Sequence, residues 1–123
     1  MGFLGRLFGG GRPAGAPLDL PCPAAEPAEA AESIERGAWA VLDVRFEGEF
    51  ARRRIPGARL LPLPELPARV GELPRDGALL VVCGSGERSL EACRLLRASG
   101  FEGLRWLRGG LAAYPGPFEE VGP

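Results

Sequence analysis

The chain has 123 residues, 46% of them apolar, and a formal net charge of −1, which allows one globular domain with a short tail and gives no reason to expect nucleic-acid binding. All of its cations are arginines and it has no histidine, which excludes Cys-His and Ser-His catalytic pairs. The three cysteines, Cys22, Cys83 and Cys93, are too widely spaced for a disulfide framework or a structural zinc site.

The first 17 residues are rich in glycine and proline. Their apolar positions are too few and too interrupted for a bilayer span, and the pattern of a signal peptide is absent. We therefore expect residues 1–17 to form a flexible arm and residues 18–123 to form the domain.

Predicted helices and strands alternate along the domain. Apolar periodicity and turn residues predict helices over 28–36, 47–53, 64–71, 89–99 and 111–114, and strands over 39–44, 60–63, 78–82 and 103–107. The strands at 39–44 and 78–82 are almost continuously apolar, which is typical of a parallel sheet covered on both faces. This order predicts an α/β fold with right-handed crossovers.

The segment after the strand 78–82 is the strongest candidate for a functional site. Cys83 stands where a buried strand gives way to a helix, and there the unpaired N–H groups and the helix dipole favour an anion such as a thiolate. Gly84 and Gly86 are expected to adopt positive φ so that N–H groups converge, and Arg88 supplies a permanent positive charge. The expected site is Cys83 as the reacting residue, followed by Gly84, Ser85, Gly86, Glu87, Arg88 and Ser89.

Four motifs together resemble those of the single-domain rhodaneses, a family of sulfurtransferases. In chain order they are Leu-Asp-Val-Arg at 42–45 with Glu-Phe at 49–50, Ile-Pro-Gly-Ala at 55–58, Cys-x4-Arg-Ser at 83–89, and Leu-x-Gly-Gly at 107–110. The resemblance extends from about residue 18 to residue 114. The chain departs from the family pattern at Arg54, where a histidine is usual, and at Tyr114, where a tryptophan is frequent.

This resemblance implies a doubly wound α/β domain with a five-stranded, mainly parallel sheet and helices on both faces. It also implies that Cys83 takes a sulfane sulfur from a small anionic donor such as thiosulfate or polysulfide, becomes a persulfide, and passes the sulfur to a thiol or protein acceptor. The loop N–H groups would surround that sulfur, and Arg88 would close the loop or bind the anion. The resemblance implies neither a metal nor another cofactor.

Two alternatives stay open. The first is a rhodanese-like interaction module without catalytic turnover, although such modules often lack the cysteine that this chain has. The second is a phosphatase or arsenate reductase, but the related dual-specificity phosphatases have a loop one residue longer, and the six positions from Cys83 to Arg88 are better sized for sulfur.

The remaining candidates are assigned supporting or structural roles. Asp43 is expected to support the site through a partner such as Arg45, Arg88 or the loop N–H groups, because a buried charge needs one. Cys93 falls on the apolar stripe of its helix and is expected in the core, whereas Cys22 lies among prolines and is expected to be exposed, with a part in thiol exchange left open. We expect a cytoplasmic protein with no integral membrane segment; the oligomeric state is open.

Overall fold

The strands form one central parallel sheet and a small antiparallel pair. The structure, a computed structural model, describes residues 20–120. The sheet order is β1-β6-β5-β2-β4, with every neighbouring pair parallel, while β3 and β7 pair antiparallel outside it. The strands within these residues are β1 (Ala24–Ala25), β2 (Trp39–Asp43), β3 (Arg53–Arg54), β4 (Arg59–Leu60), β5 (Ala78–Val82), β6 (Leu104–Leu107) and β7 (Glu119–Glu120).

Helices connect the strands on both faces of the sheet. The α-helices are α1 (Pro27–Glu35), α2 (Glu47–Arg52), α3 (Leu66–Arg69) and α4 (Glu87–Ala98), and short 3₁₀ segments cover Leu63–Glu65, Val70–Glu72 and Gly110–Ala113. Pro27 occupies the first turn of α1, where its missing N–H costs no hydrogen bond, and Gly37 takes a φ of 72° just after that helix ends. None of the helices between residues 20 and 120 has the length and apolar character needed to cross a bilayer.

Alternate residues of the central strands supply two hydrophobic layers. Val81 and Cys83 point into a cluster that includes Leu96 of α4, whereas Leu80 and Val82 belong to a second cluster with α1 and the segment at 110–114. Strands buried on both faces explain the near-absence of polar residues in β2 and β5. The expected α/β fold with a five-stranded sheet and helices on both faces is confirmed, and the sheet is parallel throughout.

Most predicted elements are present with shifted ends. The strand at 78–82 has the predicted limits, whereas the predicted strand at 60–63 shrinks to Arg59–Leu60, since Pro62 cannot donate to a ladder. The predicted helix at 64–71 is one turn of α-helix between two 3₁₀ turns, because prolines at 64 and 67 interrupt its hydrogen bonds. The predicted arm at 1–17 lies outside the described residues.

Candidate active site

Cys83 lies at the carboxyl end of the central strand β5, with two backbone N–H groups directed at its sulfur. Its Sγ accepts hydrogen bonds from the N–H of Gly86 at 3.1 Å and from the N–H of Ser89 at 3.3 Å. The residue is only 1% exposed, so these donors face the sulfur in a desolvated site. Converging N–H groups at the start of a helix form a cradle suited to an anion.

The two loop glycines have different structural roles. Gly86 has a φ of 112°, and a Cβ at this position would also lie 3.1 Å from the ring of Trp106. The expectation of positive φ at Gly84 is wrong, because the chain reverses at Gly86 alone. A Cβ at Gly84 would instead meet the guanidinium of Arg88 at 3.5 Å, so the small residue lets that side chain lie close to the loop.

A second loop, at Gly109 and Gly110, holds the carbonyl groups of the cysteine loop. The N–H of Leu111 donates to the Cys83 carbonyl at 2.8 Å, and the N–H of Ala112 donates to the Gly84 carbonyl at 3.1 Å. Both glycines have positive φ, 76° and 65°. With its carbonyls bound on this side, the cysteine loop leaves N–H groups free to face the sulfur. The sequence predicts a turn at this Gly-Gly pair and matches it to a family motif, but does not indicate that the turn supports the cysteine loop.

Arg88 is held in place by Glu49 of α2. The guanidinium donates to the two carboxylate oxygens at 2.9 and 3.1 Å, a fork-to-fork arrangement that fixes its orientation. The hydrogen bonds from Arg88, together with the N–H of Phe46, lower the pKa of Glu49 to about 2, and the same pairing raises the pKa of Arg88. Glu49 is therefore a site residue that sequence reasoning did not select, although the Glu-Phe motif contained it.

Asp43 and Arg45 form a buried ion pair beside the loop. Asp43 is fully buried, and its carboxylate accepts from the backbone N–H of Arg45 and from Nε and Nη2 of the same residue at 2.8–3.1 Å. Arg45 Nη2 also donates to the carbonyl of Arg53 at 2.6 Å. Of the partners considered for Asp43, the structure selects Arg45. Asp43 pairs in register with Val82, the residue before Cys83. The ion pair therefore stabilises the carboxyl ends of β2 and β5, next to the cysteine loop.

The other loop residues divide into exposed and buried positions. Ser85 and Glu87 are exposed at the rim, as is the ring of Phe46, which lies 5.7 Å from the Arg88 guanidinium. Ser89 is fully buried, and among the described residues its hydroxyl has no hydrogen-bond partner. The backbone N–H of the same residue contacts the sulfur, so this unpaired hydroxyl is a candidate donor to a group bound there.

The remaining cysteines pack together in the core. Cys93 is fully buried on α4, as expected. The expectation that Cys22 is exposed is wrong: it is 6% exposed, and its Sγ lies 3.1 Å from that of Cys93. Cys22 comes just before β1, and the pairing of that edge strand with β6 holds the cysteine against the core.

Comparison with known proteins agrees with this architecture. The family model described as a rhodanese-like domain matches residues 26–115. A sulfurtransferase of Allochromatium vinosum is 38% identical over 74 residues, which cover 60% of this chain and 69% of that protein. The crystal structure of a rhodanese-related protein from Thermoplasma volcanium superposes with a TM-score of 0.74 at 28% identity, covering 80% of this chain and 98% of that one. The solution structure of a rhodanese-like domain from Anabaena gives 0.73 at 31% identity, covering 80% of each chain.

Proposed function

Because the chain belongs to the rhodanese-like domain family, we propose that it is a sulfurtransferase that carries a sulfane sulfur as a persulfide on Cys83. The observation that carries the proposal is the pair of N–H groups, from Gly86 and Ser89, directed at the cysteine sulfur. The name of the Allochromatium relative supports the same class of reaction. The proposal takes residues 18–123 as the domain and residues 1–17 as an arm.

In the first step the Cys83 thiolate attacks the outer sulfur of a donor such as thiosulfate. A new S–S bond forms to Cys83 while the S–S bond of thiosulfate breaks, and sulfite leaves with the electron pair. The product is an anionic persulfide, whose terminal sulfur is stabilised by the loop N–H groups just as the thiolate is. The chain has no histidine to act as a general base, so in this proposal Cys83 reacts as a thiolate formed before the attack.

In the second step a thiolate acceptor attacks the terminal sulfur and regenerates the Cys83 thiolate. Arg88, held by Glu49, presents its positive charge next to Gly84 and attracts the anionic donor. The Ser89 hydroxyl donates to the bound sulfur or donor oxygen, which would satisfy its hydrogen-bonding capacity. Asp43 and Arg45 position the strand ends and do not touch the donor.

The persulfide chemistry also indicates the kind of sulfur acceptor and the cellular compartment. A small thiol, or a cysteine presented by another protein, can take the sulfur, whereas nothing in the loop is suited to nucleic acid. All three cysteines are free, which suits a reducing compartment such as the cytoplasm. The alternative, an interaction module without turnover, would use the exposed rim at Phe46 and Ser85 and would need no reactive sulfur.

Intact mass spectrometry after incubation with thiosulfate tests the proposal. We expect the wild-type chain to gain one sulfur atom, which a thiol acceptor then removes, and we expect no gain in Cys83→Ala. Cys22→Ser serves as the matched cysteine control and should gain sulfur as the wild type does. Absence of the adduct with both thiosulfate and polysulfide would refute the proposal and favour the interaction module.

A further inference from the structure

Cys22 and Cys93 are two free thiols in contact, remote from each other in the sequence. They are 71 residues apart along the chain, and their Sγ atoms are separated by 3.1 Å. A disulfide has an S–S distance of about 2.05 Å, so an approach of roughly 1 Å would join them. Neither thiol has a part in the chemistry proposed for Cys83.

A cavity gives access to Cys22, the less buried of the two thiols. It has a volume of about 370 Å³ and is lined by Cys22 together with Pro21, Arg97, Phe101, Glu102 and Leu104. These residues precede β1, precede or begin β6, or lie in the last turn of α4 and just after it, so the cavity opens at the amino ends of the strands. The Cys83 loop follows the carboxyl end of β5, and in a parallel sheet the two sites therefore lie at opposite edges.

The surroundings of the two thiols give them different reactivity. The hydrogen bond with Cys93 and the positive charges of Arg97 and Arg105 lower the pKa of Cys22, and outweigh the opposing effect of burial. The same hydrogen bond, together with burial, raises the pKa of Cys93. Arg97 is fixed next to Cys22 because it donates to the carbonyl of Pro21 at 2.6 Å. Cys22 is thus suited to be the nucleophile and Cys93 the resolving thiol.

We propose that Cys22 and Cys93 form a second reactive site, a dithiol that reduces a small hydroperoxide entering this cavity and closes to a disulfide. A small oxidant is required because Cys22 is only 6% exposed. The activity is separate from sulfur transfer and does not need Cys83.

The reaction balances in two steps. The Cys22 thiolate attacks one oxygen of the hydroperoxide, so that an S–O bond forms, the O–O bond breaks, and the leaving oxygen takes a proton to become an alcohol or water. Cys93 then attacks Cys22 Sγ, an S–S bond forms, the S–O bond breaks, and hydroxide leaves as water with the proton of Cys93. The dithiol loses two electrons, and the hydroperoxide gains them.

Peptide mapping of the wild-type chain tests the proposal directly. The protein is treated with hydrogen peroxide, its remaining thiols are alkylated with N-ethylmaleimide in denaturant, and it is digested with trypsin. Cleavage after arginine, but not at Arg12-Pro13, places Cys22, Cys83 and Cys93 in separate peptides, 7–36, 76–88 and 89–94. We expect a linked 7–36/89–94 species that lacks two hydrogen atoms and is restored to thiols by a reductant. Alkylation of both peptides after peroxide treatment would overturn the proposal.

Variants and an unfolded control distinguish a reactive Cys22–Cys93 site from two cysteines that are merely close together. Cys93→Ser should stop at a Cys22 sulfenic acid that dimedone captures, and Cys22→Ser should give neither product. Arg97→Gln should slow disulfide formation several-fold, whereas Arg52→Gln, at an exposed arginine of α2 whose charge does not act on either thiol, should not. The native chain should also form the link several-fold faster than the urea-unfolded chain. Equal rates in native and unfolded protein would refute a built site without relying on any variant.

Discussion

Gly110 lies against the carbonyl of Gly84 so closely that no side chain fits between the two loops. The contact joins the turn after β6 to the loop that carries Cys83, and the N–H groups of Leu111 and Ala112 complete it. The direction of the N–H groups around the sulfur thus depends on a segment more than twenty residues further along the chain.

Replacing Gly110 by alanine should damage both stability and the site. The new Cβ would overlap the Gly84 carbonyl, and the positive φ of 65° is unfavourable for alanine. We expect a loss of about 1–3 kcal/mol in the free energy of unfolding, measured by urea denaturation, together with slower persulfide formation. Gly71→Ala is the control, since that glycine has neither a positive φ nor a neighbour within 4 Å. Equal effects of the two substitutions would contradict the role given to Gly110.

The Glu49–Arg88 pair predicts a pH dependence of stability. The pKa of Glu49 is lowered from 4.5 to about 2, so its contribution is present above pH 4.5 and is lost as the pH falls towards 2. Because both side chains are about one-third exposed, we expect a contribution below about 1 kcal/mol. Urea denaturation of wild type and Glu49→Gln should differ at pH 6 and converge near pH 2. A difference that persists unchanged at low pH would show that the charge of Glu49 is not its source.

Among substitutions that remove one side-chain charge, Asp43→Asn should cause one of the largest losses in the free energy of unfolding. The guanidinium of Arg45 would be left buried without its counter-charge, a loss typically of about 3–5 kcal/mol. The comparison is Glu119→Gln, which breaks the far more exposed pair with Arg54 and should cost less than about 1 kcal/mol. Denaturant unfolding of the two variants measures both values, and similar losses would contradict the structural role of Asp43.

Ser89→Ala should slow the reaction without lowering the free energy of unfolding. The hydroxyl is buried and has no partner among the described residues, so its removal should leave the free energy of unfolding unchanged or slightly higher. If the hydroxyl binds the transferred sulfur or its donor, persulfide formation should slow by about tenfold, the equivalent of about 1.4 kcal/mol. Ser99→Ala, at the other end of α4, is the control and should leave that rate unchanged. An unchanged rate in Ser89→Ala would remove the residue from the proposed mechanism.

The sequence carried enough information to predict the sheet class and the cysteine loop. The strand over 78–82 is an unbroken apolar run, and the glycines and Arg88 directly follow Cys83, so both are local patterns. The partners of those residues were harder to predict because they are remote in the chain: Glu49 is 39 residues from Arg88. Strand β1 was missed because Ala24 and Ala25 have little β propensity and become a strand only by pairing with β6.

The Cys22–Cys93 contact was missed for a related reason. Proline-rich segments are usually exposed, and no local pattern indicates that Cys22, between two prolines, belongs to the hydrophobic core. The position of Cys22 is decided by β1, whose residues pair with Trp106 and Leu107. Pairing between strands that are distant in the chain leaves no local pattern in a single sequence, and so could not be predicted from it.

The pairing of Ala24 with Trp106 also sets an order for biosynthesis. As the ribosome extends the chain, β1 emerges long before β6, which is its neighbour in the sheet. Strands β2 and β5 can therefore pair while β1 is still unpaired. Cys22 therefore remains accessible on the nascent chain until β6 has been made, and it is buried only once that later strand pairs with β1.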